Sequence, residues 1–221
     1  MLKISSARSQ KDRISFFSLN NGATAIRSKD GEITIEYGKE IISTKGLILL
    51  LGVLVIPSIV KAFVLMPLIE KEVIGAIWYF IPSIIYIGIT VLAIIALRKT
   101  GGQDFLRNHG AEHKVVTAYK KLKRVPTIEE ADQFSRINKA CGVTIYSAVI
   151  TSQIIGFIVY KYTGYVISEI PLCLLPLLFS SHFPFNVLGK FLQIFTTLPP
   201  EKQNIELALS ALSALKNVSE E

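Results

Sequence analysis

The chain has 221 residues, half of them hydrophobic, with a mean hydropathy of +0.45, a value high for a soluble protein. Lys and Arg outnumber Asp and Glu by 24 to 17, a formal net charge of +7. The length allows one or two domains, Cys141 and Cys173 lie in surroundings too unlike for a disulfide framework, and the first 40 residues carry no secretory signal or lipidation motif.

The first structured stretch is ATAIRSKDGEITIEYG (23–38), which reads as a β-hairpin. Ala23–Arg27 and Glu32–Tyr37 are strand-like, Ile33 and Ile35 alternate, and SKDG supplies the turn. An isolated hairpin is marginal in water, so it is expected to pack on another element, the central loop being the candidate. Residues 46–66 are apolar except for Lys61, and 73–97 run 25 residues without a charge. About 20 such residues span a hydrocarbon core. A third run, 142–160, is uncharged but diluted by Ser, Thr and Gln, and a fourth, roughly 165–185, contains Glu169 and several prolines.

The basic residues set an expected topology. Residues 1–45 carry 8 Lys and Arg, 98–141 carry 10 and 186–221 carry 3, whereas the other two connections hold one each. Four spans put the three basic-rich segments on the cytoplasmic side. The expected fold class is therefore mainly α: a polytopic α-helical membrane protein with about four spans, a small N-terminal β-hairpin and a helical cytoplasmic loop. Its expected parts are a cytoplasmic N-terminal segment (1–45), a first membrane helix pair (46–97), the loop (98–142), a second helix pair (143–185) and cytoplasmic C-terminal helices (186–221). The expected location is the cell membrane, multi-pass, with both termini cytoplasmic. The lipid bilayer, together with other membrane proteins, is the expected partner. Topology accounts for most of the positive charge, so nucleic acid is not expected.

The loop carries the chemistry. FLRNHGAEHKVVTAYKKLK (105–123) reads as a helix, and TIEEADQF (127–134) opens a second one, with Thr127 and Glu130 in capping-box spacing. His109 and His113 stand four apart, so a helix places both imidazoles on one face, within reach of one ion. Glu112 lies beside them as a ligand or a general base, and H-x-x-E-H is also the inverted zinc-peptidase pattern. The alternative is a solvated helix face with two histidines at chance spacing. Cys141 is a third candidate ligand, or a small buried residue at the head of a span. His182 is a further candidate or an interfacial histidine, and Glu129 and Glu130 are alternative carboxylates, with capping the expected work of Glu130. Gly110 permits close approach of another backbone or of a ligand, or marks where the helix begins. At the C-terminus, 185–195 is amphipathic and 201–218 is a helix with an apolar stripe through Leu207, Leu209, Leu212 and Leu215.

The run HGAEHKVVTAY, followed some twenty residues later by SRINKACG, resembles the YqhQ-like family of prokaryotic membrane proteins, whose members are described as predicted metal-dependent enzymes. TTLPPEKQNIELALSALSAL (196–215) and AIRSKDGEI (25–33) extend the resemblance along most of the chain. It implies a divalent transition metal, zinc foremost, held by His109, His113 and Cys141, with Glu112 acting toward water. The chain departs from the family pattern at Asn138, where the family reads His, and in the N-terminal segment FFSLNNGATAIR. Two functions stand on this reading: a metal-dependent hydrolase of unknown substrate, or a non-catalytic membrane scaffold with a structural or degenerate metal site.

Overall fold

A computed structural model describes residues 2–39, 81–99, 102–138, 141, 143–163 and 185–220. The strands are β1 (Ser6–Ser9), β2 (Arg13–Phe17), β3 (Gly22–Arg27) and β4 (Ile33–Gly38). The helices are α1 (Ile81–Lys99), α2 (Gln103–Leu122), α3 (Ile128–Asp132), α4 (Val143–Thr163), α5 (Phe185–Thr196) and α6 (Lys202–Glu220). The chain divides into two compact units, one of Met1–Ile41, Ile94–Cys141 and Gln193–Glu221, the other of Ile42–Ala93 and Gly142–Leu192.

In the first unit the four strands form an antiparallel meander in the order β1-β2-β3-β4. Short turns set the register. Gln10 N–H donates to the Arg13 carbonyl (2.8 Å), and Ser18 N–H to that of Asn21 (2.8 Å). The SKDG turn closes with Ser28 N–H on the Glu32 carbonyl (2.9 Å), and Gly31 sits at φ +89°, in the left-handed region that favours glycine. One sheet face is the core face. Ile14 and Phe16 on β2 stand opposite Ala25 and Ala23 on β3, all four fully buried. The alanines leave room for α6, which lays Ile205, Ala208, Ala211, Leu212 and Leu215 into the same core. Their spacing follows one face of a 3.6-residue period. Ala111, Val115, Ala118 and Tyr119 of α2 complete the cluster. Each fully buried large apolar side chain contributes about 1.5–3 kcal/mol.

Two expectations are corrected here. The chain is not mainly α with a lone hairpin, because the predicted hairpin is the second half of a four-stranded sheet. Nor does the described structure support a polytopic membrane fold: among the described residues no helix is long and apolar enough to cross a membrane. The expected multi-pass placement in the cell membrane, with both termini cytoplasmic, falls with it. The physical reason lies in what the described helices hold. Residues 81–97 of the run 73–97 lie in a helix that carries on into the charged Arg98 and Lys99. The run 142–160 becomes a helix that includes Ser147, Thr151, Ser152, Gln153 and Lys161. The first apolar run, and all of the fourth but its last residue, lie outside the described residues. On α1, Ile85, Ile89 and Leu92 are more than half exposed.

Candidate metal centre

From Leu106 to His113 every position of helix α2 is buried or half-buried. The helix lies between β1, α6 and the segment 196–200, and Leu106, Asn108, Gly110, Ala111, Glu112 and His113 are all buried. The polar members of that run are therefore expected to be satisfied internally. The Asn108 amide donates to the carbonyls of Gln10 (2.8 Å) and Lys11 (3.0 Å), and its oxygen accepts from the Asn204 amide (2.8 Å). This ties α2 to the β1–β2 turn and to the first turn of α6.

The segment 196–200 crosses α2 at backbone contact. Leu198 N–H donates to the Leu106 carbonyl (3.0 Å), and a Cβ on Gly110 would lie 2.3 Å from the Leu198 oxygen. No side chain fits there, which settles the two readings of Gly110 in favour of close approach. The same crossing orients the first histidine: His109 Nδ1 lies 3.0 Å from the Thr196 carbonyl. A carbonyl only accepts, so Nδ1 carries the proton and donates. Nε2 then keeps its lone pair, and it lies 3.5 Å from Cys141 Sγ.

His113 is held in the same way from another direction. Its Nδ1 donates to the Arg136 carbonyl at 2.5 Å, again leaving Nε2 as the ligand atom. The loop that brings both Arg136 and Cys141 is itself clamped. Asn138 N–H donates to Gln193 Oε1 (2.7 Å), and Gln193 Nε2 returns a bond to the Asn138 carbonyl (2.9 Å). Upstream, the predicted capping box of Thr127 and Glu130 starts α3, and Glu130 also pairs with Arg124.

The result is a three-residue cluster. His109, His113 and Cys141 offer ligand atoms that all lie within 4.8 Å of one another, and the two imidazoles meet edge-on with centroids 4.4 Å apart. Tetrahedral zinc with nitrogen and sulfur ligands has edges of about 3.3–3.8 Å. The His109–Cys141 separation of 3.5 Å already meets that spacing, and the rest of the cluster needs a closure of about 1 Å. Burial lowers the pKa of His109, with the Thr196 bond opposing. It brings His113 down to about 4, helped by the neighbouring His109. Both are therefore neutral imidazoles at neutral pH, the form that binds metal.

Glu112 is placed differently. Its carboxylate turns to β1 and accepts from Ser9 Oγ, outside the His/His/Cys group. Burial raises its pKa to about 7, against the Ser9 bond, which lowers it. Glu129 is exposed on α3, and His182 and Glu169 lie outside the described residues. The carbonyls of Thr196 and Arg136 and the Gln193 clamp are functional parts that sequence reasoning missed. Backbone acceptors carry no residue signature, so only the TTLPP segment and Gly110 hinted at them.

The first unit is thus an α+β domain that carries a largely buried His/His/Cys group of metal-ligand type beside its hydrophobic core. The chain belongs to the family DUF1385, described as a protein of unknown function, whose model matches residues 14–218. No curated protein and no solved structure matches it. The uncharacterised-family part of the resemblance is therefore established, and HGAEHK lies inside the matched span.

Two tests follow from this geometry. Gly110→Ala should push the Leu198 carbonyl away from α2 at a cost of about 1–3 kcal/mol and loosen the Thr196 bond to His109. Denaturant unfolding and zinc titration of the variant should both weaken; an unchanged midpoint would contradict the close approach.

The second concerns pH. Between about pH 4.5 and 7 the unfolded chain releases the Glu112 proton while the folded chain keeps it, so stability falls as pH rises. Between about pH 4 and 6.5 the unfolded chain takes up a proton that folded His113 refuses, so stability rises with pH. The two slopes oppose each other. In chelator-treated protein, Glu112→Gln should therefore steepen the rise of unfolding free energy with pH across their shared window by about 1.4 kcal/mol per pH unit. Parallel slopes for variant and wild type would refute the burial of an uncharged carboxyl.

Proposed function

We propose that this chain is a metal-dependent hydrolase whose centre is His109, His113 and Cys141, with zinc as the ion. The observation that carries this reading is the convergence of His109, His113 and Cys141. Two imidazoles from one helix are fixed at Nδ1 by Thr196 and Arg136, which leaves Nε2 on each as the ligand atom, that of His109 lying 3.5 Å from the Cys141 sulfur. Metal-ligating histidines are oriented in this way by outer partners. The two bonds satisfy the ring N–H groups, as burial requires of any histidine, and what points to a metal is the convergence of both imidazoles and Cys141 on one place. Two imidazoles and a thiolate suit zinc by ligand softness. Three protein ligands leave a fourth position, the arrangement of catalytic rather than structural zinc. When bound there, the ion would supply Lewis acidity and lower the pKa of a water.

The chain's own residues do the rest. The Thr196 and Arg136 carbonyls hold the tautomers, and the Gln193–Asn138 pair holds the loop that carries Cys141. Glu112 is better suited to positioning α2 against β1 through Ser9 than to acting as the base. The resemblance to the YqhQ-like family supports the metal-dependent reading. A structural ion is the second reading, and the burial of Cys141 and His113 favours it.

Metal analysis of the purified full chain separates these readings. One zinc per chain is expected, and none in His109→Ala/His113→Ala. In the cobalt-loaded protein, acetohydroxamate should shift the visible absorption if the fourth position is open. An unchanged spectrum would leave a structural ion, and no metal in the wild type after reconstitution would remove both readings.

A further inference from the structure

Beside the His/His/Cys group, and still within the first unit, lies an open groove of about 320 Å³. That is at the small end of ligand-binding pockets, about 300–1,000 Å³. Its walls are of two kinds. Phe134, Ile137 and the Pro199–Pro200 pair make an apolar side, while Lys114, Asp132 and Arg136 line the rest.

The charges do not cancel. Lys114 is engaged by Asp132, through a 2.8 Å ion pair and a bond to the Asp132 carbonyl. That leaves the Arg136 guanidinium as the groove's one cation without an ion-pair partner among the described residues. Its Nε is buried and meets no acceptor among the described residues. A buried donor without a partner is costly, and Nε has no surface that a ligand could touch, so the part of the guanidinium open to an acceptor in the groove is its outer Nη edge. An arginine fork matches a pair of syn oxygens. One unmatched positive charge asks for a monoanion, and the apolar wall asks for hydrocarbon next to it.

We propose that this groove binds an apolar carboxylate, its two oxygens on the Arg136 guanidinium and its hydrocarbon against Phe134, Ile137 and the Pro199–Pro200 pair. Arg136 links the groove to the centre. Its carbonyl fixes His113 while its side chain lines the groove, and Lys114 follows His113 directly in α2. An acid held here is anchored on the residue whose carbonyl fixes His113. The binding needs only the chain itself; its use as a substrate anchor rests on the hydrolase reading above.

The test uses the full chain, treated with chelator, and benzoate as the probe, followed by equilibrium dialysis and ligand-observed NMR. One benzoate should bind per chain, and benzyl alcohol, which has the ring without the charge, should not. Arg136→Met should weaken benzoate at least tenfold, and Arg136→Lys, which keeps the charge but not the fork, should fall between. The zinc content of Arg136→Met should equal that of wild type, which separates failure of the groove from failure of the metal centre. The proposal is overturned if benzoate does not bind, or binds only when zinc is loaded. It is equally overturned if benzoate binds Arg136→Met and Arg136→Lys as it binds wild type, if Arg136→Met loses its zinc, or if phenyl phosphate binds more tightly than benzoate.

Discussion

The carbonyl of Leu198 rests on α2 where any residue but glycine would collide with it. Much of the site depends on that contact. It brings the segment 196–200 close enough for Thr196 to fix His109, and for Leu198 to bond the Leu106 carbonyl. The second histidine depends in the same way on the loop through Arg136, which the Gln193 side chain holds by both ends of its amide. The ligand group is thus organised mainly by backbone carbonyls brought in from two directions, and the sheet and α6 supply the core against which α2 is rigid.

Burial is what makes this arrangement chemically specific. Removing His109 and His113 from water keeps them neutral, and the carbonyls select the tautomer, so Nε2 is available on both. The same burial acts on Glu112 in the opposite chemical sense, since it disfavours the charged carboxylate and leaves the group paired with Ser9. Sequence adjacency places Glu112 next to the ligands, whereas the helix turns it toward β1. A motif read as one unit of chemistry is therefore divided between two sides of α2.

The legible parts of the sequence were those with local causes. The SKDG turn with its flanking alternation marked β3 and β4, Thr127 and Glu130 marked the start of α3, and four-residue spacing put His109 and His113 on one face. Cys141 was legible as a candidate only because the loop returns it to the helix. β1 and β2 were missed because they are only four and five residues long: Arg13-Ile14-Ser15-Phe16 does alternate, but over too short a run to stand out, and SARS holds no large apolar residue. The membrane reading rested on uncharged length. It was joined to the placement of Lys and Arg, and neither measure reports how a run is built into helices; among the described residues no helix is long and apolar enough to cross a membrane. The Thr196 and Arg136 carbonyls have no residue signature of their own, and only the TTLPP segment and Gly110 hinted at the crossing.

The most direct measurement of the central claim is X-ray absorption at the zinc edge of the reconstituted full chain. The account predicts a four-coordinate first shell with two imidazole nitrogens, one sulfur at about 2.3 Å and one further light atom, with the sulfur shell absent from Cys141→Ser. A shell of oxygen and nitrogen alone in the wild type, or a sulfur shell that survives Cys141→Ser, would contradict it.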